Sequence, residues 1–298
     1  MGPDREWRGE YPLNTDILNS TDLRLRIKDR VTAWRVVIEH MAETEGSVLV
    51  FGRRQDQPVV VKVIKRAGEE RFSGAALHAF DGRGTVRVFD HVEGALLLER
   101  LSPGTSLVGL ALANDEQATE ILADVISRMS PRESVAGMPT LEEWGLGFER
   151  YRTSGNDRIP KPLVEDAHDL YSELCVSQSR QRLLHGDLHH DNVLLDSGRG
   201  WLAIDPKGVV GEPEYEVGAA LRNPLAKPEC FLRPATIKAR ARRFSDRLHL
   251  DVGRILAWTF AQAVLAAIWT IEDGGVVSSD NPWIALADAV RPMMKDGR

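Results

Sequence analysis

The spacing of hydrophobic residues changes along the N-terminal part of the chain. In residues 22–43 these residues recur mostly every three or four positions, which predicts an amphipathic helix that packs on the segment after it. Residues 47–52 and 59–64 are instead short runs rich in valine, separated by a polar stretch at 53–58. Because β-branched residues favour extended backbone, the two runs predict strands joined by a turn.

Further strand signals follow before the pattern changes again. A short helix is predicted at 69–80, ending at the Gly-rich turn 81–84, and strands are predicted at 85–90 and 95–99. The dipeptide Pro103-Gly104 then breaks the pattern. The segment up to this point therefore reads as a compact β-rich unit.

The rest of the chain is mostly helical in pattern. Helices are predicted at 114–129, 141–152, 163–174 and 235–271, with one β-like interruption at 192–205. Strands followed by helices indicate an α+β fold. We predict two lobes, in which residues 1–101 form a small β-rich lobe with a helical extension and residues 102–298 form a larger helical lobe.

Composition adds a few exclusions to this picture. Of the 298 residues, 43% are hydrophobic and 28% charged, which indicates a folded protein with a sizeable core and excludes disorder as the main state. The 38 basic and 44 acidic residues give a formal charge of −6. This charge provides no general attraction to nucleic acid, so we expect no nucleic-acid partner.

The remaining features concern location. The two cysteines, Cys175 and Cys230, are far apart, which indicates a reducing compartment and excludes a disulfide scaffold. The first thirty residues are too charged for a signal peptide. The apolar stretch 255–271 falls short of a bilayer's thickness and reads as a buried helix. We expect a cytoplasmic monomer or homodimer without membrane contact.

The densest cluster of polar residues lies in the segment 184–195, Leu-His-Gly-Asp-Leu-His-His-Asp-Asn-Val-Leu-Leu. Apolar runs on both sides of the turn at 196–200 predict a β-hairpin, which brings Asn192 close to Asp205. The spacing Asp-x4-Asn, followed by a strand that ends in aspartate, is that of the protein-kinase catalytic loop and metal aspartate. It predicts phosphoryl transfer from ATP, with Asp187 as the base and Asn192 and Asp205 as Mg²⁺ ligands.

A kinase-like site also needs groups that hold the phosphates of the nucleotide. Lys62 lies on the valine-rich strand 59–64 and is predicted to contact the α- and β-phosphates. Glu70 is the candidate partner of this lysine, with Glu69 as the alternative. Either glutamate also suits the exposed start of a helix, where acidic residues are favoured.

Two further segments are candidates for nucleotide binding. Ser47 belongs to the turn 45–47, where a phosphate-covering loop is expected, and it offers a backbone N–H and a hydroxyl group. The motif G-x-G-x-x-G is missing, so an ordinary turn fits equally well. The apolar strand 96–98 has the position of an inter-lobe hinge. There the backbone of Glu99 and Leu101 is predicted to hydrogen-bond adenine.

Four segments resemble a known group of enzymes. Residues 185–195 resemble the Brenner-type loop of the aminoglycoside phosphotransferase superfamily, which also includes choline, fructosamine and macrolide kinases. The segments 81–87, 97–104 and 204–216 narrow the resemblance to the aminoglycoside/hydroxyurea antibiotic resistance kinases, the group that contains streptomycin 6-phosphotransferases. The similarity covers about residues 45–275. It implies a bilobal protein-kinase-like fold, ATP and Mg²⁺ as cofactors, and a hydroxylated small-molecule acceptor such as streptomycin.

The chain departs from the family pattern at two places, and other functions stay open. The interval from Lys62 to Glu70 is short, and the N-terminal extension through Arg30 matches no family segment that we identify. One alternative is a metabolic kinase for a sugar or amino sugar, since the same loop serves many acceptors. Another is a non-catalytic nucleotide-binding pseudokinase. A zinc site at the histidines of the 184–195 segment is disfavoured, because its glycine indicates a loop and not a helix.

The helical lobe is expected to bind the acceptor. The acidic candidates are Glu212, Glu214 and Glu216 after the metal aspartate, and Glu272 and Asp273 at the end of the long helix. Carboxylates would form charge-assisted hydrogen bonds with guanidinium or ammonium groups. Trp269 and Trp258 are aromatic candidates, but their eleven-residue spacing puts both on one helix face, which is also typical of a buried stripe.

Overall fold

The computed structural model describes residues 21–66, 70–129, 136–278 and 280–294. Most of the N-terminal extension, including residues 1–20, and the candidate Glu69 lie outside these ranges. The described residues form two lobes, one rich in strands and one helical, so the predicted fold class is confirmed. The elements of the first lobe are α1 (Thr21–Ala33), β1 (Val36–Glu43), β2 (Ser47–Arg54), β3 (Gln57–Ile64), α2 (Ser73–Phe80), β4 (Val88–Val92) and β5 (Ala95–Glu99).

A five-stranded antiparallel sheet of order β1-β2-β3-β5-β4 forms the N-terminal lobe. The central strand β3 is buried on both faces. Its alternate residues Val59, Val61 and Val63 pack in a core with Leu97 and with helix α1. Because side chains alternate across a strand, Lys62 points to the opposite face, where it is only 2% exposed.

The predicted helix over 22–43 is wrong in its second half. The helix α1 ends at Ala33, and Arg35 takes a left-handed backbone conformation with φ of 55° before β1 begins. β1 is an edge strand whose Val37 and Ile38 side chains are exposed, so its hydrophobic residues do not alternate as those of a half-buried strand do. Their spacing imitates a helix, whereas the β-branched residues favour the strand.

The helical lobe follows β5 and begins with short strands and α-helices of short and medium length. They are β6 (Pro103–Ser106), α3 (Val108–Ala113), α4 (Asp115–Arg128), α5 (Leu141–Thr153), α6 (Lys161–Val176), β7 (Arg182–Leu184), β8 (Val193–Asp196), β9 (Gly200–Ala203), β10 (Val209–Gly211) and α7 (Pro213–Leu221). The remaining helices are α8 (Pro228–Phe231), α9 (Pro234–Leu248), α10 (Val252–Glu272) and α11 (Pro282–Val290). The predicted hairpin at 192–205 is β8 and β9, which pair antiparallel, and β6 joins β8 on the other side.

The predicted continuous helix at 235–271 is two helices. His249 takes a left-handed conformation with φ of 56° and ends α9, and Asp251 caps the start of α10 by accepting from the Arg254 N–H at 2.6 Å. The helix α10 is long and apolar enough to cross a membrane, but 72% of its apolar window is buried within the protein. It packs against α5, α6, α7, α9 and α11, and is therefore the central core helix of the larger lobe.

Candidate active site

The predicted catalytic loop, residues 185–192, runs from β7 to the hairpin of β8 and β9. The Ile204 N–H donates to the carbonyl oxygen of Asn192 at 2.9 Å, and Asp205 follows directly. The Asn192 side-chain Nδ2 donates to the carbonyl oxygen of Asp187, also at 2.9 Å. These two bonds gather Asp187, Asn192 and Asp205 in one place.

The two carboxylate oxygens of Asp187 have different surroundings. Oδ1 accepts from Arg222 Nη2 at 2.8 Å, whereas Oδ2 lies 3.8 Å from His189 Nε2, beyond hydrogen-bond distance. The side chain is 24% exposed, so a hydroxyl group can reach Oδ2. Burial raises the pKa of Asp187, but the neighbouring positive charges, with that of Arg222 the largest, together outweigh this effect, and the net pKa is below the ordinary value. Asp187 is therefore ionised at neutral pH.

Arg222 itself is a rigid part of this arrangement. It directly follows α7 and is only 9% exposed. Its Nη1 donates to Gln262 Oε1 at 3.0 Å, and Gln262 Nε2 donates to the carbonyl oxygen of Tyr215 at 2.5 Å. No motif marks Arg222 in the sequence. The one sequence signal is its position directly after the apolar run 217–221, which indicates burial. A buried arginine needs a charged or polar partner.

Glu216 binds the backbone of the catalytic loop. Its carboxylate accepts from the N–H groups of His185 at 2.6 Å and Gly186 at 3.0 Å, and the residue is 2% exposed. Its assignment as an acceptor ligand is wrong, because both oxygens serve the loop from inside the protein. His185 is also buried, which lowers its pKa to about 4, and its Nε2 lies 2.7 Å from the Ile204 carbonyl oxygen. Neutral His185 thus connects the loop to the hairpin.

Replacing Glu216 by glutamine is expected to change how stability depends on pH. Burial raises the pKa of Glu216 to about 7, so the folded protein binds this proton more tightly than the unfolded chain does. Stability contributed by the protonated form is therefore lost as pH rises from about 4.5 to 7. Urea unfolding at pH 5 and pH 7.5 should show wild type losing about 2 kcal/mol relative to Glu216→Gln. Parallel changes in the two proteins would contradict the assignment.

Lys62 joins the sheet of the small lobe to the catalytic hairpin. Its Nζ lies 2.6 Å from Glu70 Oε2 and 2.8 Å from Asp205 Oδ1. Burial lowers the pKa of Lys62, but the two carboxylates outweigh it and raise the pKa overall. Lys207 is more exposed and lies 3.8 Å from Glu70 Oε1. The structure thus brings Lys62, Glu70 and Asp205 together in spite of the short interval between the first two.

The other residues predicted to bind the nucleotide are Ser47, Glu99 and Leu101. Ser47 is the first residue of β2, directly after the turn from β1, but it is 2% exposed and its hydroxyl is 2.9 Å from the Thr44 hydroxyl. The predicted contact of this hydroxyl with phosphate is therefore wrong, because the group is buried in its own turn. At the predicted hinge, the Glu99 carboxylate pairs with Arg199 of the β8–β9 turn. Leu101 packs at the edge of a small apolar cluster beneath the sheet.

Two further acidic residues that were predicted to bind the acceptor, Glu212 and Glu214, are buried. Glu212 is 1% exposed, and its Oε1 accepts from Arg254 Nη2 at 2.6 Å and from the indole of Trp258. Glu214 is 8% exposed, and its Oε1 lies 3.4 Å from the backbone nitrogen of Asp251. Carboxylates that follow a catalytic motif suggest an open cleft, but here both lie at the start of α7, where they are buried against α10 and the segment before it.

The candidates at the end of α10 remain accessible. Glu272 and Asp273 are exposed, and Glu272 forms a two-bond ion pair with Arg150. Trp269 is half-buried, whereas Trp258 is completely buried in the core. Trp258 is therefore a core residue, whereas Trp269 is partly exposed.

A two-lobed chain with a lysine–glutamate pair above such a loop defines a protein-kinase-like phosphotransferase. The model of the aminoglycoside/hydroxyurea antibiotic resistance kinases matches residues 34–274, and the chain belongs to this family of small-molecule kinases. It is 33% identical to a streptomycin 3''-kinase from Klebsiella pneumoniae over 251 residues, 81% of this chain and 91% of the relative. It is 34% identical to a streptomycin 6-kinase from Streptomyces griseus over 261 residues, 83% and 81% of the two chains.

A solved structure supports the same fold. An aminoglycoside phosphotransferase in ternary complex with ADP and hygromycin B superposes with a TM-score of 0.61 at 17% sequence identity. The alignment covers 91% of this chain and 98% of that structure. The resemblance stated from the sequence motifs is thus confirmed for the family and for the kinase-like fold.

Proposed function

We propose that the protein transfers the γ-phosphoryl group of ATP to a hydroxyl group of a streptomycin-like aminoglycoside. The observation that carries this proposal is the convergence of Asp187, Asn192 and Asp205 beneath Lys62. The choice of an aminoglycoside as the acceptor rests on the streptomycin kinases among the relatives. A cationic acceptor also suits the exposed carboxylates of Glu272 and Asp273. ATP is supported by the ADP in the similar solved structure.

The chemistry assigns separate tasks to the two oxygens of Asp187. Arg222 holds Oδ1 and fixes the orientation of the carboxylate. Oδ2 accepts the proton of the acceptor hydroxyl as its oxygen attacks the γ-phosphorus and the bond to ADP breaks. Phosphoryl transfer relies mainly on positioning and charge stabilisation, so the fixed loop supplies most of the rate enhancement.

The neighbouring side chains suit a hard cation and a triphosphate. Asn192 Nδ2 is engaged with Asp187, which leaves its Oδ1 available as a ligand, and Asp205 binds Lys62 through Oδ1, so that among the described residues its Oδ2 has no hydrogen bond. Oxygen ligands of this kind are those that Mg²⁺ prefers. Asn192 and Asp205 would hold the ion, which neutralises phosphate charge when bound. Lys62, oriented by Glu70, binds the α- and β-phosphates, and the backbone of Glu99 and Leu101 contacts adenine.

We also place the lobe boundary after Leu101, between β5 and β6. The enzyme would act in the cytoplasm, where ATP is available, as a monomer or homodimer. Its partner is the small-molecule acceptor.

The proposal is tested by screening acceptors with purified protein. ADP release is followed with streptomycin, other aminoglycosides, hydroxyurea, and plain and amino sugars, and the products are analysed by mass spectrometry. We expect streptomycin to gain the mass of one phosphoryl group. Activity confined to plain sugars would assign the protein to metabolic kinases instead, and ADP release without a phosphorylated acceptor would contradict the proposal.

Replacing Asp205 by asparagine is expected to weaken binding of Mg·ATP by about tenfold, because it removes the charged Mg²⁺ ligand and one carboxylate beside Lys62. Calorimetric titration with the non-hydrolysable analogue AMP-PNP and Mg²⁺ measures this change directly. Asp169→Asn, on the exposed surface of α6, is the matched control and should bind as wild type does. Equal affinity for Asp205→Asn and wild type would show that Asp205 is not a metal ligand.

A further inference from the structure

Two half-buried tryptophans form a surface that begins beside the catalytic loop. The indole of Trp144 on α5 lies against Gly186, where an added Cβ atom would be 2.7 Å from Trp144 Cη2. Its ring centroid is 5.5 Å from that of Trp269 on α10, with the planes at 90°. We call Trp144 and Trp269 the aromatic shelf. The aromatic shelf extends from Gly186, next to Asp187, toward the C-terminal end of α10.

The far end of the aromatic shelf already holds a guanidinium group. Arg150 Nε and Nη2 donate to the two oxygens of Glu272 at 2.8 and 3.2 Å. An added Cβ at Gly147 would lie 3.4 Å from Trp269 Nε1 and 3.5 Å from Arg150 Nη2, so both nitrogen atoms border the same space above Gly147. A planar cation paired with a carboxylate beside an aromatic ring is also how proteins bind cationic ligands.

The Arg150–Glu272 ion pair is held only weakly. The two side chains are 56% and 32% exposed, and exposed ion pairs contribute little to folding stability because water and salt screen them. A ligand with its own guanidinium group can therefore replace Arg150 at Glu272 at small cost. If the ion pair only connected α5 to α10, it would need neither the aromatic shelf nor the contact of the shelf with the catalytic loop.

We propose that the aromatic shelf and Glu272 form the subsite for a guanidinium or ammonium group of the acceptor, and that Arg150 occupies this subsite as an internal competitor in the free enzyme. The proposal rests on the proposed function and adds to it the chemical group that is recognised. A cation bound at Glu272 would lie along the shelf from Asp187, so that a hydroxyl on the same molecule reaches the catalytic loop.

Opposite effects of two substitutions test the proposal. Calorimetry measures the Kd of streptomycin, which carries guanidinium groups, in the presence of AMP-PNP and Mg²⁺. Glu272→Gln is expected to weaken binding about tenfold. Arg150→Gln is expected to tighten it about threefold, because the competitor is gone. In the Glu272→Gln background the same Arg150 substitution should have no effect, since the two residues act through one contact.

Matched controls separate recognition from structure. Arg152→Gln removes another exposed arginine of α5, which pairs with Glu149 at 3.1 Å, and should leave the Kd unchanged. Trp269→Leu should weaken streptomycin binding about fivefold while leaving the affinity for AMP-PNP intact. The KM for hydroxyurea, which has no cationic group, should be the same in wild type and Glu272→Gln.

The outcomes also distinguish this proposal from the proposed function. Unchanged or weaker streptomycin binding by Arg150→Gln would overturn the internal competitor, and unchanged binding by Glu272→Gln would overturn the subsite. Wild-type enzyme that phosphorylates hydroxyurea but binds no streptomycin would overturn the subsite as well. Streptomycin binding with the predicted responses, but without phosphoryl transfer to any acceptor, would support the subsite and refute the proposed function.

Discussion

Replacing Asp187 by asparagine is expected to lower kcat at least about a thousandfold and to leave ATP affinity within about tenfold of wild type. The amide keeps the size of the side chain and its hydrogen bond from Arg222, but it cannot accept the proton of the attacking hydroxyl. In the proposed function ATP contacts Lys62 and the hinge instead, so we expect its binding to depend little on this residue. The loss therefore falls on the chemical step.

Two measurements on the same protein separate these effects. Single-turnover phosphorylation of streptomycin gives the rate of the chemical step, and titration with AMP-PNP gives nucleotide affinity. Asp191→Asn, at the exposed carboxylate of the same loop, is the matched control. Wild-type turnover by Asp187→Asn would indicate that another group is the base. An intact cellular function with no measurable transfer would favour the pseudokinase alternative.

The catalytic part of the site was predictable because it is local in sequence. Asp187 and Asn192 lie on one loop, and a short hairpin brings Asp205 back to them, so spacing alone indicates their proximity. Lys62 was also recognisable, since a lysine within a valine-rich central strand is unusual. The prediction was wrong where hydrophobic spacing was the only signal. In β1 the spacing of an exposed edge strand resembled that of a helix, and between α9 and α10 a single left-handed residue, His249, ends the helix without interrupting the pattern.

The supporting residues were not predictable in the same way. Arg222, Glu216 and Trp144 reach the loop from helices that lie far away in the sequence, and only tertiary packing brings them there. The prediction that Glu212 binds the acceptor was wrong for the same reason, because nothing in the local sequence shows that its carboxylate is buried in the core. The sequence therefore identifies the groups of the reaction more readily than those that orient them.

Arg222→Gln should lower kcat about a hundredfold while the KM for ATP changes little, because the substitution leaves Asp187 buried without its charged partner. In wild type the pKa of Asp187 lies below its usual value, so the carboxylate is ionised through the neutral range and the stability from the pair is lost only at acid pH. Without Arg222 the effect of burial dominates, and the pKa of Asp187 rises.

The decisive measurement is therefore the pH dependence of kcat/KM for the acceptor between about pH 5 and 8. The acid limb lies below this range in wild type and should move into it in Arg222→Gln, and Arg222→Lys should restore part of the wild-type profile. Arg254→Gln is the matched control, since Arg254 also pairs with a largely buried carboxylate, that of Glu212. It should reduce stability without moving the limb. A limb that stays in place in Arg222→Gln would mean that Arg222 only supports the fold, because loss of packing changes how much enzyme is folded and not the protonation of Asp187.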